Sequence, residues 1–294
     1  MNKNLVCFLF VVSILSACVS QADKGVDEKH QETSTQEVQK IVSLSGALTE
    51  TVVSLGKADL LVGVDITSTY PEDLVAKLPK LGHISSINSE GVLALKPDLV
   101  LVLKKGLRPE LLQQIESAGV EVLVVDQEFS IESTKQLINQ ISDRLEVPEK
   151  GDSLITVIDE HLAEIKPLQQ QTKGLFIYAR GAGNMSVGGN GSAVAELIEI
   201  AGGENVANGF EGYKPLTAES MVSSNPEVIL MFQTALSSMG GIEALKQIPA
   251  IAQTTAGREN NFIGMDGLFM AGFGPRVGEA ALELNKKLVE LNNE

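Results

Sequence analysis

The chain has 294 residues, of which 44% are hydrophobic and 21% are charged. This balance is typical of globular proteins and excludes wholesale disorder, and the length suggests about two domains. Its 38 acidic and 23 basic residues give a net charge of −15, which argues against a nucleic-acid partner, because clustered Lys and Arg bind phosphate backbones. With two cysteines, the chain has no disulfide framework.

Residues 1–17 have the pattern of a signal peptide. Lys3 makes the start basic, and the apolar run Leu5–Leu15 is too short to span a bilayer. The run is followed by Ser-Ala-Cys18, which together with Leu15 resembles the bacterial lipobox, so Cys18 is predicted to carry a lipid. An ordinary signal peptide with a coincidental cysteine is the alternative. Residues 18–40 are polar and lack aromatic side chains, which predicts a flexible tether.

From residue 41 onward, short apolar runs alternate with amphipathic segments, which indicates an α/β fold with mainly parallel sheets. The predicted strands are Ile41–Ser43, Leu61–Val64, Leu99–Leu103, Val122–Val125, Leu175–Tyr178, Val228–Phe232 and Phe262–Gly264. Helices are predicted between them, for example at Pro109–Ala118 and Ile131–Leu145. Pro148 is predicted to begin a long helix that runs to about Lys166, since proline is favoured in a first helical turn. The resulting domains are an N-terminal lobe (41–147), a linker helix (148–171) and a C-terminal lobe (172–294).

Two pairs of matching segments occur in the same order in both halves of the chain. Residues 90–101 and 219–230 each begin with a glutamate and continue to a proline, an acidic residue and an apolar strand. Residues 47–56 and 193–202 each begin with an alanine and a glutamate three positions apart and end in a glycine. Shared architecture alone could produce one such match, but two in order favour similar lobes with a ligand cleft between them.

No catalytic motif stands out along the chain. The three histidines, His30, His83 and His161, are scattered, and the sequence has no H-E-x-x-H helix, P-loop or nucleophile elbow. The glycine-rich segment 181–191 lacks the spacing of a dinucleotide-binding loop, and we predict a flexible loop at the cleft. The sequence therefore disfavours an enzyme.

Tyr70 lies in the segment GVDITSTYP, which begins at Gly63 near the end of a predicted strand. Ligands of α/β proteins bind at the carboxyl ends of strands, so the rigid Tyr-Pro pair is placed to present a phenol to a ligand. Considered alone, the segment favours an ordinary half-buried loop tyrosine.

Five segments distributed between residues 63 and 276 carry a resemblance to a known family: GVDITSTYP, LPKLGHISSINSEGVLALKPDLVLV, ARGAGNMSVGGNGSAVAELIEIAGGENVA, GYKPLTAESMVSSNPEVILM and MDGLFMAGFGPR. Together they resemble the haem-binding proteins of bacterial ABC importers, within a larger class that also binds siderophores and cobalamin. EGVLALKPDLV and AGGENVA are shared by the whole class, whereas TSTYP with MDGLFMAGFGPR resembles the haem branch. The resemblance implies two α/β lobes bridged by one long helix.

The resemblance also implies a haem site. A tyrosine in the TSTYP position is an axial ligand of haem iron in that family, which assigns the role to Tyr70; ferric iron is a hard acid that phenolate oxygen suits. Some relatives have a histidine near Arg180 that ligates a second haem, and the arginine departs from that pattern. Others have an arginine where this chain has Gln233-Thr234, so Tyr70 has no assigned partner. Further pocket residues implied are Arg180, Tyr213, Lys214, Gln233, Met265, Leu268, Phe269, Met270 and Phe273, with a core role for at least half of the apolar ones.

In this class, one acidic residue on each lobe docks onto arginines of the permease, and Glu90 and Glu219 match those positions. Both would also be favoured as helix-start residues by the helix dipole. The sequence thus predicts a non-catalytic, monomeric, extracytoplasmic lipoprotein that binds haem b and delivers it to an ABC permease dimer with its ATPase. No metal other than haem iron is expected. A ferric-siderophore or cobalamin carrier is the alternative, and a haem- or metal-dependent enzyme is a distant one.

Overall fold

Two separate β-sheets organise the residues that the computed structural model describes, 37–181 and 183–293. The first sheet consists of β1 (Ile41–Ser43), β2 (Leu61–Val64), β3 (Leu99–Leu103) and β4 (Glu121–Val125). Its order is β2-β1-β3-β4, and every neighbouring pair is parallel. The predicted signal peptide, Cys18 and nearly all of the tether lie outside the described residues.

The second sheet contains strands that the sequence pattern does not predict. Its strands are β5 (Lys173–Ala179), β6 (Met185–Gly188), β7 (Glu204–Asn205), β8 (Tyr213–Pro215), β9 (Val228–Phe232) and β10 (Phe262–Met265). The order is β10-β9-β5-β6-β8 with β7 beside β5, and β6 is antiparallel to both β5 and β8. The flexible loop predicted at residues 181–191 is therefore wrong for β6, because antiparallel pairing with β5 on one side and β8 on the other stabilises a glycine-rich segment of low intrinsic strand propensity.

Helices cover the sheets and connect the strands. In the N-terminal lobe they are α1 (Gly46–Ser54), α2 (Glu72–Val75), α3 (Ser89–Leu93), α4 (Pro109–Ser117) and α5 (Ile131–Arg144), with a 3-10 turn at Ala58–Leu60. The others are α6 (Pro148–Ala163), α7 (Ala193–Ile200), α8 (Ala218–Ser224), α9 (Gln233–Ser238), α10 (Gly241–Leu245), α11 (Pro249–Ala252), α12 (Thr255–Glu259), α13 (Gly267–Ala271) and α14 (Val277–Asn293). Within residues 37–181 and 183–293, no helix has both the length and the apolar character needed to cross a bilayer.

The central strands of both sheets are buried on both faces, as their apolar sequences require. In β3, Leu99 and Leu101 point into one cluster of core residues, whereas Val100 and Val102 point into another on the opposite face. The strand β9 alternates between two clusters in the same way. The first cluster contains side chains from both sheets and from α5, α6 and α14, so the lobes share a core and the described residues from Val38 onward form one compact unit. The α/β fold with two mainly parallel sheets is confirmed; the domain boundaries at 147/148 and 171/172 stay predictions.

The long helix α6 connects the two lobes and packs between α5 and α14. Pro148 lies in its first turn, as predicted. The helix ends at Ala163, before the predicted Lys166, because a residue that precedes proline is disfavoured in the helical conformation. Asn285 instead accepts from the Lys166 N–H (3.0 Å) and donates to its carbonyl oxygen (2.8 Å).

Candidate ligand-binding cleft

The loop after β2 presents Tyr70 at the carboxyl end of the first sheet. Asp65, which is 2% exposed, accepts hydrogen bonds from the backbone N–H and hydroxyl of Thr67 (3.0 and 2.6 Å) and of Ser68 (3.1 and 2.7 Å). Lys80 Nζ donates to the carbonyl oxygen of Ser68 (2.6 Å). Burial lowers the pKa of Lys80, while the charge of Asp65 acts in the opposite direction. The loop backbone is thus held, and the Tyr70 side chain stays 43% exposed.

Replacing Asp65 by asparagine is expected to weaken this loop. The amide nitrogen of asparagine donates instead of accepting, so the two donors that face one carboxylate oxygen lose their acceptor. Each such loss at a buried charged acceptor costs roughly 1.5–3 kcal/mol, and we expect urea titration to show a free energy of unfolding lowered by about 3 kcal/mol. Asp73→Asn, at an exposed position of α2, is the control and should unfold like the wild type. Equal effects of the two changes would contradict a special role for Asp65.

The guanidinium of Arg276 lies on the ring of Tyr70, with 3.6 Å between Cζ and the ring centroid. Glu50 of α1 binds this guanidinium through two hydrogen bonds of 2.9 Å, donated by Nε and Nη2. Phe269 flanks the same group at 4.9 Å. Burial tends to lower the pKa of Arg276, but the hydrogen bonds to Glu50 and the acidic groups around it raise that pKa overall. Tyr70 and Glu50 belong to the N-terminal lobe and Arg276 directly precedes α14, so the three side chains join the lobes.

Sequence reasoning did not identify Arg276, although the residue ends the segment MDGLFMAGFGPR. Some members of the resembled family have their arginine at the position of Gln233-Thr234 instead. In the structure, Gln233 is exposed, donates to Ser237 Oγ (3.1 Å) within α9 and lines neither of the two cavities described below, so its place in a ligand pocket stays a prediction. Its neighbour Thr234 lines the cleft.

A cavity of about 450 Å³ lies between the lobes, next to Thr69 and hence beside the Tyr70 loop. Its lining from the N-terminal lobe is Ser45, Gly46, Ala47, Thr67, Thr69, Leu103, Gln127 and Phe129, and from the C-terminal lobe Phe232, Thr234, Asp266, Gly267, Leu268, Ala271 and Gly272. The lobes approach closely here: a Cβ at Gly46 would lie 2.5 Å from Leu268 Cδ1. The structure thus has a cavity at the place where the sequence predicts a ligand cleft.

A second cavity of about 430 Å³ opens on the C-terminal lobe, lined by Tyr178, Arg180, Asn184, Ser186, Tyr213 and Phe232. Phe232 lines both cavities, so the two share a wall. Arg180 Nε donates to the Tyr178 hydroxyl (2.9 Å), and the rings of Tyr178 and Tyr213 are 6.1 Å apart. Partial burial and the nearby Tyr178 raise the pKa of Tyr213, which keeps its phenol protonated. A protonated phenol is a weaker ligand for a metal ion than a phenolate.

The structure brings together only part of the predicted pocket. Arg180 and Tyr213 line the second cavity, and Leu268 lines the first. Lys214 is exposed, and its Nζ lies 4.5 Å from the ring centroid of Phe210 instead of in either cavity.

Three of the predicted apolar cleft residues are buried in the core. Met270 and Phe273 are almost fully inaccessible, and Met265 is also buried. Their burial agrees with the core role expected for at least half of the apolar residues: these three side chains pack inward against the shared core, while Phe269 remains beside Arg276. Tyr178 and Phe232, which the sequence analysis did not single out, supply aromatic surface instead. The feature that could have indicated them is their position near the carboxyl ends of β5 and β9, which are adjacent parallel strands.

Glu90 and Glu219 lie in the first turns of α3 and α8. Asn88 caps α3 by accepting from the Gly91 N–H (2.8 Å), and Thr217 caps α8 in a capping box. Both glutamates are exposed, and within the described part of the chain no hydrogen bond or ion pair engages either carboxylate. Each is therefore free to meet a partner while its helix start is stabilised by another residue.

The described residues contain no group of three or more His, Cys, Asp or Glu side chains able to hold a metal ion. His83 is exposed and its Nδ1 lies 2.9 Å from Ser85 Oγ. The cleft region thus offers the exposed Tyr70 phenol backed by a guanidinium, the half-exposed Tyr213, the ring of Tyr178 and apolar walls, an arrangement suited to a large planar ligand with a coordinating centre.

The model of the family described as periplasmic binding protein matches residues 41–267. The chain belongs to this family. Among curated relatives, an ABC transporter substrate-binding lipoprotein of Bacillus subtilis, YvrC, described as uncharacterized, is 25% identical over 95% of this chain and 94% of its own length. A vitamin B12-binding protein of Vibrio parahaemolyticus is 26% identical over 69% of this chain and 74% of its own. This binding protein is the substrate-binding component of an ABC transporter, as the sequence predicted.

Several solved structures similar to this binding protein are periplasmic haem-binding proteins. RhuT of Roseiflexus sp. RS-1, in its apo form, is 33% identical with a TM-score of 0.82, covering 86% of this chain and 99% of RhuT. BhuT, solved with two hemes, is 32% identical with a TM-score of 0.81, covering 86% of this chain and 98% of BhuT. The predicted resemblance to the haem, siderophore and cobalamin class is confirmed.

Proposed function

We propose that this protein binds haem b in the cleft between its lobes and delivers it to an ABC permease. The observation that carries the proposal is the exposed Tyr70 phenol, held at the carboxyl end of β2 with Arg276 on its ring. Phenolate oxygen is a known axial ligand of haem iron, and a hard oxygen donor suits ferric iron. The similarity to periplasmic haem-binding proteins supports the same ligand.

The remainder of the cleft suits a porphyrin. The two adjoining cavities offer the aromatic faces of Tyr178, Tyr213 and Phe232 together with apolar walls, and a porphyrin ring buries a large apolar area. Arg180 lines the second cavity and offers a cation to a propionate carboxylate, for which guanidinium is a favoured partner. The sequence has no C-x-x-C-H attachment motif, so the haem is held non-covalently.

Titration with hemin tests the ligand directly. Equimolar hemin should produce a sharp Soret band and a visible charge-transfer band of a ferric tyrosinate, whereas cyanocobalamin and a ferric siderophore should leave the intrinsic tyrosine fluorescence unchanged. Tight binding of cyanocobalamin without a hemin response would favour the cobalamin alternative, for which a curated relative speaks. Loss of the bound haem spectrum under reductant and oxygen would indicate a haem-degrading enzyme in place of the non-catalytic carrier that we propose.

Delivery requires a membrane partner. We propose that Glu90 and Glu219 dock onto an ABC permease dimer with its ATPase, and that the protein acts as a monomer, since a single chain carries both lobes and both carboxylates. In this proposal the protein lies outside the cytoplasm and is held at a membrane by a lipid on Cys18.

Replacing Cys18 by serine tests the anchor. Because serine lacks the thiol that accepts the lipid, the variant should move from the membrane fraction to the soluble fraction in cell fractionation, with haem binding unchanged. Cys7→Ser is the matched control, and we expect it to stay in the membrane fraction, since residue 7 belongs to the predicted signal peptide. A wild-type protein that is already soluble and carries no lipid by mass spectrometry would contradict the anchor.

A further inference from the structure

Several polar contacts between the lobes meet at one corner of the C-terminal lobe, residues 272–276 between α13 and α14. The Phe273 carbonyl oxygen accepts from Gln127 Nε2 (2.8 Å) and Thr134 Oγ1 (3.0 Å), both of the N-terminal lobe. Glu50, also of the N-terminal lobe, binds Arg276 at the end of the same corner. The corner is therefore fixed to the N-terminal lobe at two points on either side of Pro275.

Glu50 is committed to this contact. Glu50 is 2% exposed. Both of its carboxylate oxygens accept hydrogen bonds from the Arg276 guanidinium, and one also accepts from the Arg276 backbone N–H (3.3 Å). A bidentate arginine–carboxylate pair has a defined geometry, since two parallel hydrogen bonds fix the plane of the guanidinium. A carboxylate this deeply buried without its cation would be strongly unfavourable, so the pair holds together.

The same guanidinium covers the Tyr70 ring at 3.6 Å, so one side chain bridges the buried carboxylate and the exposed phenol. We propose that Glu50 is a positioning residue for the iron ligand: by holding Arg276 across the lobe contact, it places a cation on the ring of Tyr70. This inference rests on the proposed function, because it concerns Tyr70 as the ligand of ferric haem. When the phenol oxygen binds iron as a phenolate, the adjacent guanidinium offsets its charge, and the stacked plane restricts rotation of the ring.

Loss of the Arg276 cation is expected to change the properties of the bound haem. Without the cation, the phenolate donates more strongly to iron and favours the ferric form, so the Fe(III)/Fe(II) potential should move to a lower value and the charge-transfer band to longer wavelength. A less restrained ring should also release haem sooner, by about tenfold, the size expected when a partly buried cation–π contact is lost. A role of Glu50 confined to folding would change neither the potential nor the band.

The test uses the full chain loaded with hemin and the variants Glu50→Gln, Arg276→Gln and their combination. We expect both single changes to lower the potential and speed haem release to apomyoglobin, and the double variant to be no more impaired than Arg276→Gln, because the two residues act in series. Asp159→Asn, which removes the exposed partner of Lys135, is the matched control and should behave as wild type. Should Glu50→Gln not fold, Arg276→Lys carries the test, since lysine keeps the charge but cannot make the planar, bidentate contact.

Two outcomes separate the inference from the proposed function. A wild-type protein without a tyrosinate band refutes haem ligation by Tyr70, and the inference with it. A wild-type band that Tyr70→Phe abolishes, but that Glu50→Gln and Arg276→Gln leave unchanged together with the potential and the release rate, refutes the inference alone. Additive effects of the two variants would likewise refute positioning of Arg276 by Glu50.

Discussion

Tyr70→Phe should abolish the tyrosinate charge-transfer band of the haem complex while leaving the protein folded. The change removes only the phenol oxygen of a side chain that is largely outside the core, so packing is preserved but the iron loses its protein ligand. Because the porphyrin still buries its apolar faces in the cleft, we expect affinity for hemin to fall by roughly 10- to 100-fold, about 1.4–2.8 kcal/mol. Visible absorption and resonance Raman spectra of the hemin-loaded variant provide the measurement.

Tyr213→Phe is the matched control for this prediction. It removes the same oxygen from a tyrosine of the neighbouring cavity, where burial raises the pKa of the phenol and disfavours the phenolate. We expect the variant to retain the charge-transfer band. Its affinity for hemin should fall by less than about threefold, because the phenol oxygen can contribute at most one weak, neutral hydrogen bond to the ligand. If Tyr213→Phe abolished the band and Tyr70→Phe did not, the ligand would be Tyr213 and the assignment of the site would be wrong.

Reversing Glu90 and Glu219 to lysine should stop transport without affecting haem binding. Both carboxylates are exposed in first helical turns, have no partner among the described residues and line neither of the two cleft cavities. The introduced lysines would face the arginines of the permease, and such like charges at an interface cost several kcal/mol. This cost is enough to lower uptake in reconstituted vesicles at least about 100-fold, and each single reversal should have a smaller effect. Hemin titration of the same variant should give the wild-type affinity and spectrum.

Glu110 and Glu279 supply the control for net charge and helix position. Both are exposed acidic residues in first helical turns, one in each lobe, so reversing both changes the charge by the same amount at comparable sites. We expect uptake within about twofold of wild type, because rim charges outside the contact alter mainly the encounter rate. Normal uptake by the Glu90/Glu219 reversal, or an equal defect in the control, would leave those two glutamates as helix-start residues only.

The proposed ligand site and the proposed docking residues lie on different elements of the chain. The ligand side is built from strand ends and from the corner at residues 272–276, which face the space between the lobes. Glu90 and Glu219, the proposed docking residues, lie instead on the short helices α3 and α8. The caps of these two helices stabilise the helix starts independently of the ligand. This separation is why changes on one side are expected to leave the other unaffected.

The sequence alone was sufficient for the strands that carry the sheets. The bounds of β1, β2, β3 and β9 agree with the predicted ones, because a run of buried apolar residues between turn signals is a local property of the chain. The position of Tyr70 after β2 follows from the same pattern, and the resemblance of five segments to a known family supplied the implied ligand. Local information could not supply β6 and β8, whose low-propensity segments become strands only by pairing with each other and with β5.

The contacts around Tyr70 were decided by the tertiary structure. Glu50 and Arg276 are 226 positions apart, and no periodicity or spacing relates two residues at that distance. They meet because α1 and the start of α14 pack against the shared core, which also buries Met270 and Phe273 that the sequence alone could not distinguish from cleft residues. Apolar character predicts that a side chain will be buried, but only the packing of distant elements determines whether it is buried against the core or against a ligand.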